Sequence, residues 1–336
     1  MSIVAALCSR GLRVQTFKVG PDYLDPTYLT ILSGRPCYNL DGWMMGPDYV
    51  QRLFVENSCD ADIALIEGVM GLFDGAQPDG ISGSSAEIAI WLKVPTILVV
   101  NAHGMAGSIA ALVQGFSGLD ERLNLSGVIA NHIGSSNHRK WLEKSCSSRN
   151  LAPVVGAFAR GEFKTLSSRR LGLLTASSDI LAEEQKIELS NASENNIDMD
   201  RILDISRSVE PYPFDKPAVF TISANKRIRM GLAFDKAFHF YYQDNLDELE
   251  RRGMEIVRFS PVSDTSLPQD LDFLYFGGGY PEEFAAELSD NASMIDSIKQ
   301  YSESDRRIYA ECGGLMYFSR GIELDDSSRH DMIGIF

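Results

Sequence analysis

The stretch Ile308-Tyr309-Ala310-Glu311-Cys312-Gly313-Gly314-Leu315-Met316-Tyr317 decides how the last third of the chain is read. A short strand-like run enters it, a helix-like run leaves it, and small residues surround one cysteine. This is the pattern of a nucleophile elbow, in which a tight strand-to-helix turn holds its side chain out and glycines admit neighbouring chains closely. A thiol at the start of a helix also has its thiolate favoured by the helix dipole and the free first-turn amides. Cys312 is therefore expected to be a nucleophile able to attack a carboxamide.

One strand earlier, Leu274-Tyr275-Phe276-Gly277-Gly278-Gly279-Tyr280-Pro281-Glu282 ends in a glycine loop that enters the next helix. Such a loop can aim the amides of Gly278 and Gly279 at a developing oxyanion, with the amide of Gly313 as a further donor. A lone cysteine is more often a core residue, and glycine loops are often simple turns. Their occurrence in consecutive strand-to-helix units is what sets this pair apart. Around them runs an alternating pattern with strands at 229–234, 255–259, 271–276 and 307–310 and helices near 243–252, 282–289 and 313–319.

Working back towards residue 1, short β-branched runs at 12–19, 61–69, 96–102, 128–133 and 153–158 alternate with helical spacing at 48–57, 84–91 and 108–116. That alternation predicts a parallel sheet flanked by helices, and near-continuous apolar strands fit a sheet buried on both faces. Between about 176 and 215 Ser, Asn, Asp and Glu dominate, which reads as a polar helix and then a linker. With 336 residues, the chain exceeds the roughly 250–300 that one core organises. The expected division is 1–205, a linker at 206–228, and 229–336.

Composition narrows the function classes. The 46 acidic against 31 basic residues give a net charge of −15, spread over both halves, which disfavours unaided binding to nucleic acid. No apolar run approaches the roughly 20 residues that span a bilayer. The five cysteines lack metal-ligand spacing and form an odd set, so neither zinc nor a disulfide framework is expected. The N-terminus is apolar but has no basic n-region, and a cytoplasmic protein is the expectation.

Open α/β sheets bind ligands at the carboxyl ends of their strands. There, Lys18-Val19-Gly20-Pro21-Asp22-Tyr23-Leu24-Asp25-Pro26 places a cation and two carboxylates on a loop stiffened by prolines, and Glu67 and Asp74 bracket the glycine-containing run Gly68–Phe73. Carboxylates of this kind suit Mg²⁺, a hard cation that takes few protein oxygens and shares phosphate and water. Each loop alone is as well explained as a solvated turn.

Together these stretches resemble the glutamine-hydrolysing cobyrinic acid a,c-diamide synthases. The resemblance runs through Phe17 to Pro26, Gly34-Arg-Pro-Cys-Tyr-Asn39-Leu-Asp41, Glu67 to Gly75, Asn101-Ala-His-Gly-Met105 and Asn131-His-Ile-Gly-Ser135. It continues through Asp244-Asn-Leu-Asp-Glu-Leu249, Phe276 to Glu282 and Ala310 to Tyr317, and so covers nearly the whole chain. It implies a P-loop, dethiobiotin-synthetase-like parallel-sheet domain followed by a class I glutamine amidotransferase-like α/β domain. It implies an ATP- and Mg²⁺-dependent ligase of cobalamin biosynthesis, in which ATP activates the a and c acetates of cobyrinic acid as acyl phosphates. Ammonia released from L-glutamine through a thioester on Cys312 then attacks. Carried over residue by residue, Lys18, Asp22, Tyr23, Leu24, Asp25, Glu67, Asp74, Asn101 and Asn131 form the ATP and substrate site. Asp22 and Glu67 are the metal ligands, and Asn131 meets the adenine. A homodimer is compatible with this reading, and no nucleic-acid or membrane partner is expected. Two alternatives stay open: the same chemistry on hydrogenobyrinic acid or nickel sirohydrochlorin, and an inactive remnant that only binds.

Several positions depart from the family pattern. No Gly-Lys-Thr phosphate loop is present, and Ser2–Arg13 resembles the helix that would follow one. The stretch 331–336 resembles the strand after the elbow helix, before any catalytic histidine, and His330 is too early to be that base. Leu29 and Arg170 stand where the family carries histidine. On this reading the chain by itself is expected to be inactive, with a sheet short of one central strand and exposed neighbours. His103, His132 and His138 are not spaced as a metal cluster and are expected to be structural or surface residues.

Overall fold

The structure is a computed structural model that describes residues 1–163, 168–169, 172–173, 181–209, 228–304 and 306–336. The chain divides into two compact units, Met1–Pro217 and Ala218–Phe336. Arg170 and most of the expected linker lie outside the described residues.

The first unit runs α1 (Ser2–Ser9), β1 (Val14–Val19), α2 (Asp25–Ser33), β2 (Tyr38–Leu40), α3 (Gly42–Ser58), β3 (Ile63–Glu67), α4 (Ser85–Leu92), β4 (Thr96–Asn101), α5 (Ser108–Leu119), β5 (Leu125–Ile133), α6 (Ser136–Ser147) and β6 (Val154–Ala159). The two-residue strands β7 (Ser168–Arg169) and β8 (Gly172–Leu173) pair antiparallel, and α7 (Glu183–Asn196) and α8 (Met199–Arg207) follow. The strands β1 to β6 pair in parallel, in two sheets ordered β2-β1-β3 and β4-β5-β6.

All six residues of β1 are buried. Its polar Gln15 is accommodated because its amide donates to the Pro36 carbonyl at 2.7 Å and its oxygen accepts from Arg35 at 2.8 Å, as a buried polar group requires. Helix α1 packs Val4, Ala6 and Leu7 into one core with Val14 and Ile63 of the first sheet and Ile129 and Val155 of the second. Arg10, at its end, grips Glu194 with two bonds of 2.7 Å and Asp200 at 2.6 Å, fastening α1 to α7 and α8. Leu29 is fully buried in the same core. Among the described residues β3 and β4 each have a strand neighbour on one side only, and Val99 of β4 is 63% exposed.

Neither α2 nor α6 is expected from the periodicity of the sequence. Asp25-Pro26 reads as loop, yet proline is well suited to the first helical turn, where its missing N–H would have no partner. Helix α6 carries Ser135 as its N-cap, accepting from the His138 amide at 3.1 Å.

The second unit contains β9 (Ile228–Ala233), β10 (Phe238–Phe240), α9 (Gln243–Arg251), β11 (Met254–Phe259), β12 (Phe273–Phe276), β13 (Gly278–Gly279), a 3₁₀ turn at Pro281–Phe284, α10 (Ala285–Asp290), α11 (Ala292–Glu303), β14 (Arg307–Ala310), α12 (Gly313–Phe318), β15 (Gly321–Glu323) and β16 (Arg329–Asp331). A four-stranded parallel sheet is ordered β11-β9-β12-β14. One core joins Leu274, Phe276, Ile298, Tyr317 and Phe318, and a smaller one joins Met230, Leu232 and Leu246.

The helix expected at 282–289 is a 3₁₀ turn running into α10. The strand expected at 331–336 is also corrected. Only Arg329–Asp331 is a strand, antiparallel to β15, and the residues after it bond back to α12 through Ile333 N to Tyr317 O and Ile335 N to Phe318 O, both 3.0 Å.

Candidate functional site

Cys312 stands between the end of β14 and the start of α12, exposed, with φ 49° and ψ −119°. A positive φ is rare for a side chain other than glycine and costs about 1–3 kcal/mol, so the surroundings must impose it. They do so through backbone bonds on both sides of the cysteine. Glu311 N donates to Phe276 O at 3.0 Å and Gly314 N to Gly277 O at 2.9 Å, which tie the elbow to the end of β12.

The glycines of the two loops are where close approach is needed. A Cβ on Gly278 would meet the Cys312 Cβ at 3.3 Å, one on Gly313 would meet Gly279 N at 3.1 Å, and one on Gly314 would run into the Phe276 carbonyl oxygen. Gly278, Gly279, Gly313 and Cys312 are thus brought together, as amide donation to one reacting carbonyl would require.

Aromatic hydroxyls that the sequence reading did not single out brace this turn. Tyr241 donates to Ala233 O at 2.5 Å and accepts from Gly277 N at 2.8 Å, pinning the start of the glycine loop to β9. Glu311 accepts from Tyr275 at 2.6 Å and from Tyr309 at 3.1 Å. Burial, followed by the Glu311 carboxylate, pushes the Tyr275 hydroxyl above its ordinary range, so it stays a donor. Register could have flagged part of this, because Tyr275 and Tyr309 face each other across β12 and β14. Tyr241 reaches its partners from outside the strands, where no spacing rule applies.

In the first unit the ends of β1 and β3 meet in register, with Lys18 opposite Glu67. The Lys18 side chain is only 5% exposed, and its Nζ lies 2.7 Å from Asp25, 3.2 Å from Glu67, 3.2 Å from Gly68 O and 3.8 Å from Asp22. Burial works to lower the Lys18 ammonium, but Asp25 and Glu67 outweigh it and hold it above its usual value. Burial likewise disfavours the charged form of both aspartates, with opposite outcomes. Lys18 prevails at Asp25 and lowers it, whereas Asp22, next to Asp25, is raised despite amide bonds from Leu24 (2.8 Å) and Asp25 (3.1 Å). The amino group of Met1 lies 3.7 Å from Glu67.

Lys18, Asp22, Leu24, Asp25 and Glu67 therefore form one group, with Tyr23 half-buried in the same turn. Asn101 and Asn131 form another, side by side at the ends of β4 and β5. Asn101 Oδ1 accepts from His103 N at 3.1 Å, and Asn131 Oδ1 from His132 N at 3.0 Å. Asp74 closes its own loop by accepting from Gly71 N at 3.0 Å. His138 ties the loops after β4 and β5 together, since Nδ1 accepts from Gly134 N at 3.1 Å and Nε2 donates to Met105 O at 2.5 Å.

Among the described residues no set of three or more His, Cys, Asp or Glu side chains is disposed to hold a metal ion. The space ringed by Asp22, Asp25 and Glu67 is filled by the Lys18 ammonium. All five cysteines are free thiols, and burial pushes Cys37 up to about 12, far from reactive. No helix among the described residues is long and apolar enough to cross a membrane.

Comparison with known proteins bears on both sites. Residues 229–336 match the CobB/CobQ-like glutamine amidotransferase domain. Among curated relatives, the cobyrinate a,c-diamide synthase of Syntrophotalea carbinolica is 52% identical over 99% of this chain and 72% of its own length. That of Dehalococcoides mccartyi strain CBDB1 is 45% identical over the same shares, and that of Leptospira interrogans strain Fiocruz L1-130 is 42% identical over 100% and 72%. A solved putative peptidase E protein from Listeria monocytogenes EGD-e aligns over 34% of this chain and 66% of that one, at 14% identity and a TM-score of 0.27, too remote to weigh. The agreement with the synthases extends through both units, and the chain belongs to the cobyrinate a,c-diamide synthase family.

Proposed function

We propose that this protein is an amide-forming ligase that uses ATP and glutamine to convert the a and c acetates of cobyrinic acid to amides. The observation that carries the reading is the contact between the Gly277–Gly279 loop and the strained Cys312 elbow, within a domain that matches glutamine amidotransferases. Cys312 Sγ attacks the carboxamide carbon of glutamine, the amides of Gly278, Gly279 and Gly313 receive the oxyanion, and ammonia leaves as the thioester forms. Water then releases glutamate.

At the Lys18 group the acetate carboxylate attacks the γ-phosphate of ATP to give an acyl phosphate and ADP, and ammonia then attacks the acyl carbon and expels phosphate as the amide forms. Lys18 faces the phosphates of ATP, and Asn131 takes the adenine. Mg²⁺ binds through one or two carboxylates and otherwise keeps phosphate and water oxygens, but the Lys18 ammonium lies between Asp22 and Glu67, so these two residues as placed do not fit a metal ion. Both co-substrates belong to the cytoplasm, where this reading puts the protein.

The test is Cys312→Ser. Glutamate release from glutamine should disappear while amide synthesis from free ammonium salts continues, followed by mass spectrometry of the corrinoid. Failure of the variant with ammonia as well would overturn this division of labour.

A further inference from the structure

Three large apolar side chains are exposed in the segments that follow β2 and β3, the strands on either side of the one that carries Lys18. Trp43 is 80% exposed, Met44 49% and Met70 77%. Trp43 and Met44 lie in the first turn of α3, just after β2 ends at Leu40, and Met70 lies in the loop after β3 ends at Glu67, so both segments leave the carboxyl end of one sheet, with β1 in parallel register with each strand. With strands about 4.8 Å apart, the two segments begin roughly 10 Å from each other, with the Lys18 strand between them.

Each segment is built to hold its side chains out. Asp41 caps the turn carrying Trp43 and Met44 by accepting from Met44 N at 2.8 Å, and Gly46, at φ 72° and ψ 168°, ends that turn before Pro47 restarts the helix. Met70 has φ 49°, a strained setting for a methionine. Bonds on both sides fix it there: Val69 N donates to Ser85 Oγ at 2.9 Å and Gly71 N to Asp74 at 3.0 Å. Strain of this kind, presenting an apolar side chain to water, has no stabilising return within the unit itself.

We infer that Trp43, Met44 and Met70 form a platform for the apolar face of the corrin ring, so that its acetate arms reach the Lys18 group. This rests on the amide-synthase reading above and specifies how the substrate is held. The ring is a broad, nearly flat apolar body with carboxylates at its rim. An indole and two unbranched thioethers can cover such a surface while adapting to its puckering. The other exposed tryptophan, Trp141 on α6 and 66% exposed, lies on the other sheet's layer and is not part of the platform.

Equilibrium dialysis of the protein against two corrinoids tests this. One is cobyrinic acid, and the other is a corrinoid whose acetates are already amides. Trp43→Ala should weaken both by about tenfold, the loss of roughly one aromatic stacking partner with its buried area. Met70→Ser should weaken both less, and Trp141→Ala should leave both unchanged. Circular dichroism should be the same for all, since these side chains are outside the cores. Unaltered binding by Trp43→Ala and Met70→Ser overturns the platform and leaves the amide-synthase reading standing, as does a loss confined to cobyrinic acid or a change in oligomeric state alone. If the unaltered protein binds neither corrinoid, the amide-synthase reading fails and the platform with it.

Discussion

The two candidate sites are held by opposite means. Around Cys312 the working parts are backbone: a strained φ, glycines that leave no room for a Cβ, and amide bonds that lock one loop against the next. Around Lys18 they are side-chain charges, one buried ammonium and three carboxylates that satisfy one another. A scaffold made of backbone is sensitive to added volume, and its stability is indifferent to pH over a wide range. A site made of charges tolerates changes of volume and answers to protons. The sharpest way to separate the two is to attack each by the means that should matter only for the other.

Gly314→Ala should have the largest effect on stability. Its methyl group would overlap the Phe276 carbonyl and sit 2.8 Å from Phe276 Cβ, both fixed by strand pairing. Overpacking a fixed backbone costs about 3 kcal/mol, measured as a lower denaturation midpoint, with glutamine hydrolysis lost alongside. A variant with normal stability would mean that the elbow can shift and that its backbone is not fixed by volume. Lys18→Met comes next. It leaves Asp22, Asp25 and Glu67 facing one another without a cation, which should cost about 2 kcal/mol at neutral pH, less than for a fully buried pair because the carboxylates are about 30% exposed. The sign with pH follows from Asp25, which Lys18 lowers in the folded chain. Its contribution is complete above the ordinary carboxylate value of about 3.9 and is lost as pH falls through the lowered one. The gap between the unaltered protein and Lys18→Met should therefore narrow in acid, whereas the gap for Gly314→Ala should not.

Much of this was legible in the sequence because the two sites are written in different alphabets. Gly277 to Gly279 and Glu311 to Gly314 announce their turns, since few residues other than glycine fit such backbone. Lys18, Asp22, Asp25 and Glu67 are legible as residues at strand ends, and parallel register alone brings Lys18 opposite Glu67. What stayed hidden depends on three-dimensional neighbours. Tyr241 anchors Gly277 from 36 positions away, and Arg10 reaches Glu194 across 184, separations that carry no local signal. Helix α2 was masked by its own opening, because Asp-Pro serves equally as a turn and as a first helical turn. The strand that the family resemblance placed at 331–336 is absent, and the hairpin of β15 and β16 that precedes it carried no signal, because its register depends on the partner each strand finds.

The smallest expected effect probes the border between the two kinds of site. His239 lies on β10 against the glycine strand β13, its ring 4.7 Å from that of Phe240 and 5.8 Å from that of Tyr280. Burial pushes its imidazole down to about 4, against the pull of Asp235. The folded chain therefore keeps His239 neutral, while the unfolded chain takes up a proton below about 6.5. Stability from this group is full above about pH 6.5 and is lost as pH falls towards the folded value, by about 1 kcal/mol at pH 5.5. Urea midpoints at pH 7 and 5.5 for the unaltered protein and His239→Phe should diverge accordingly, with the variant losing less in acid. Equal losses in both proteins would mean that His239 is already solvated, and that the backbone site beside it is open to protons after all.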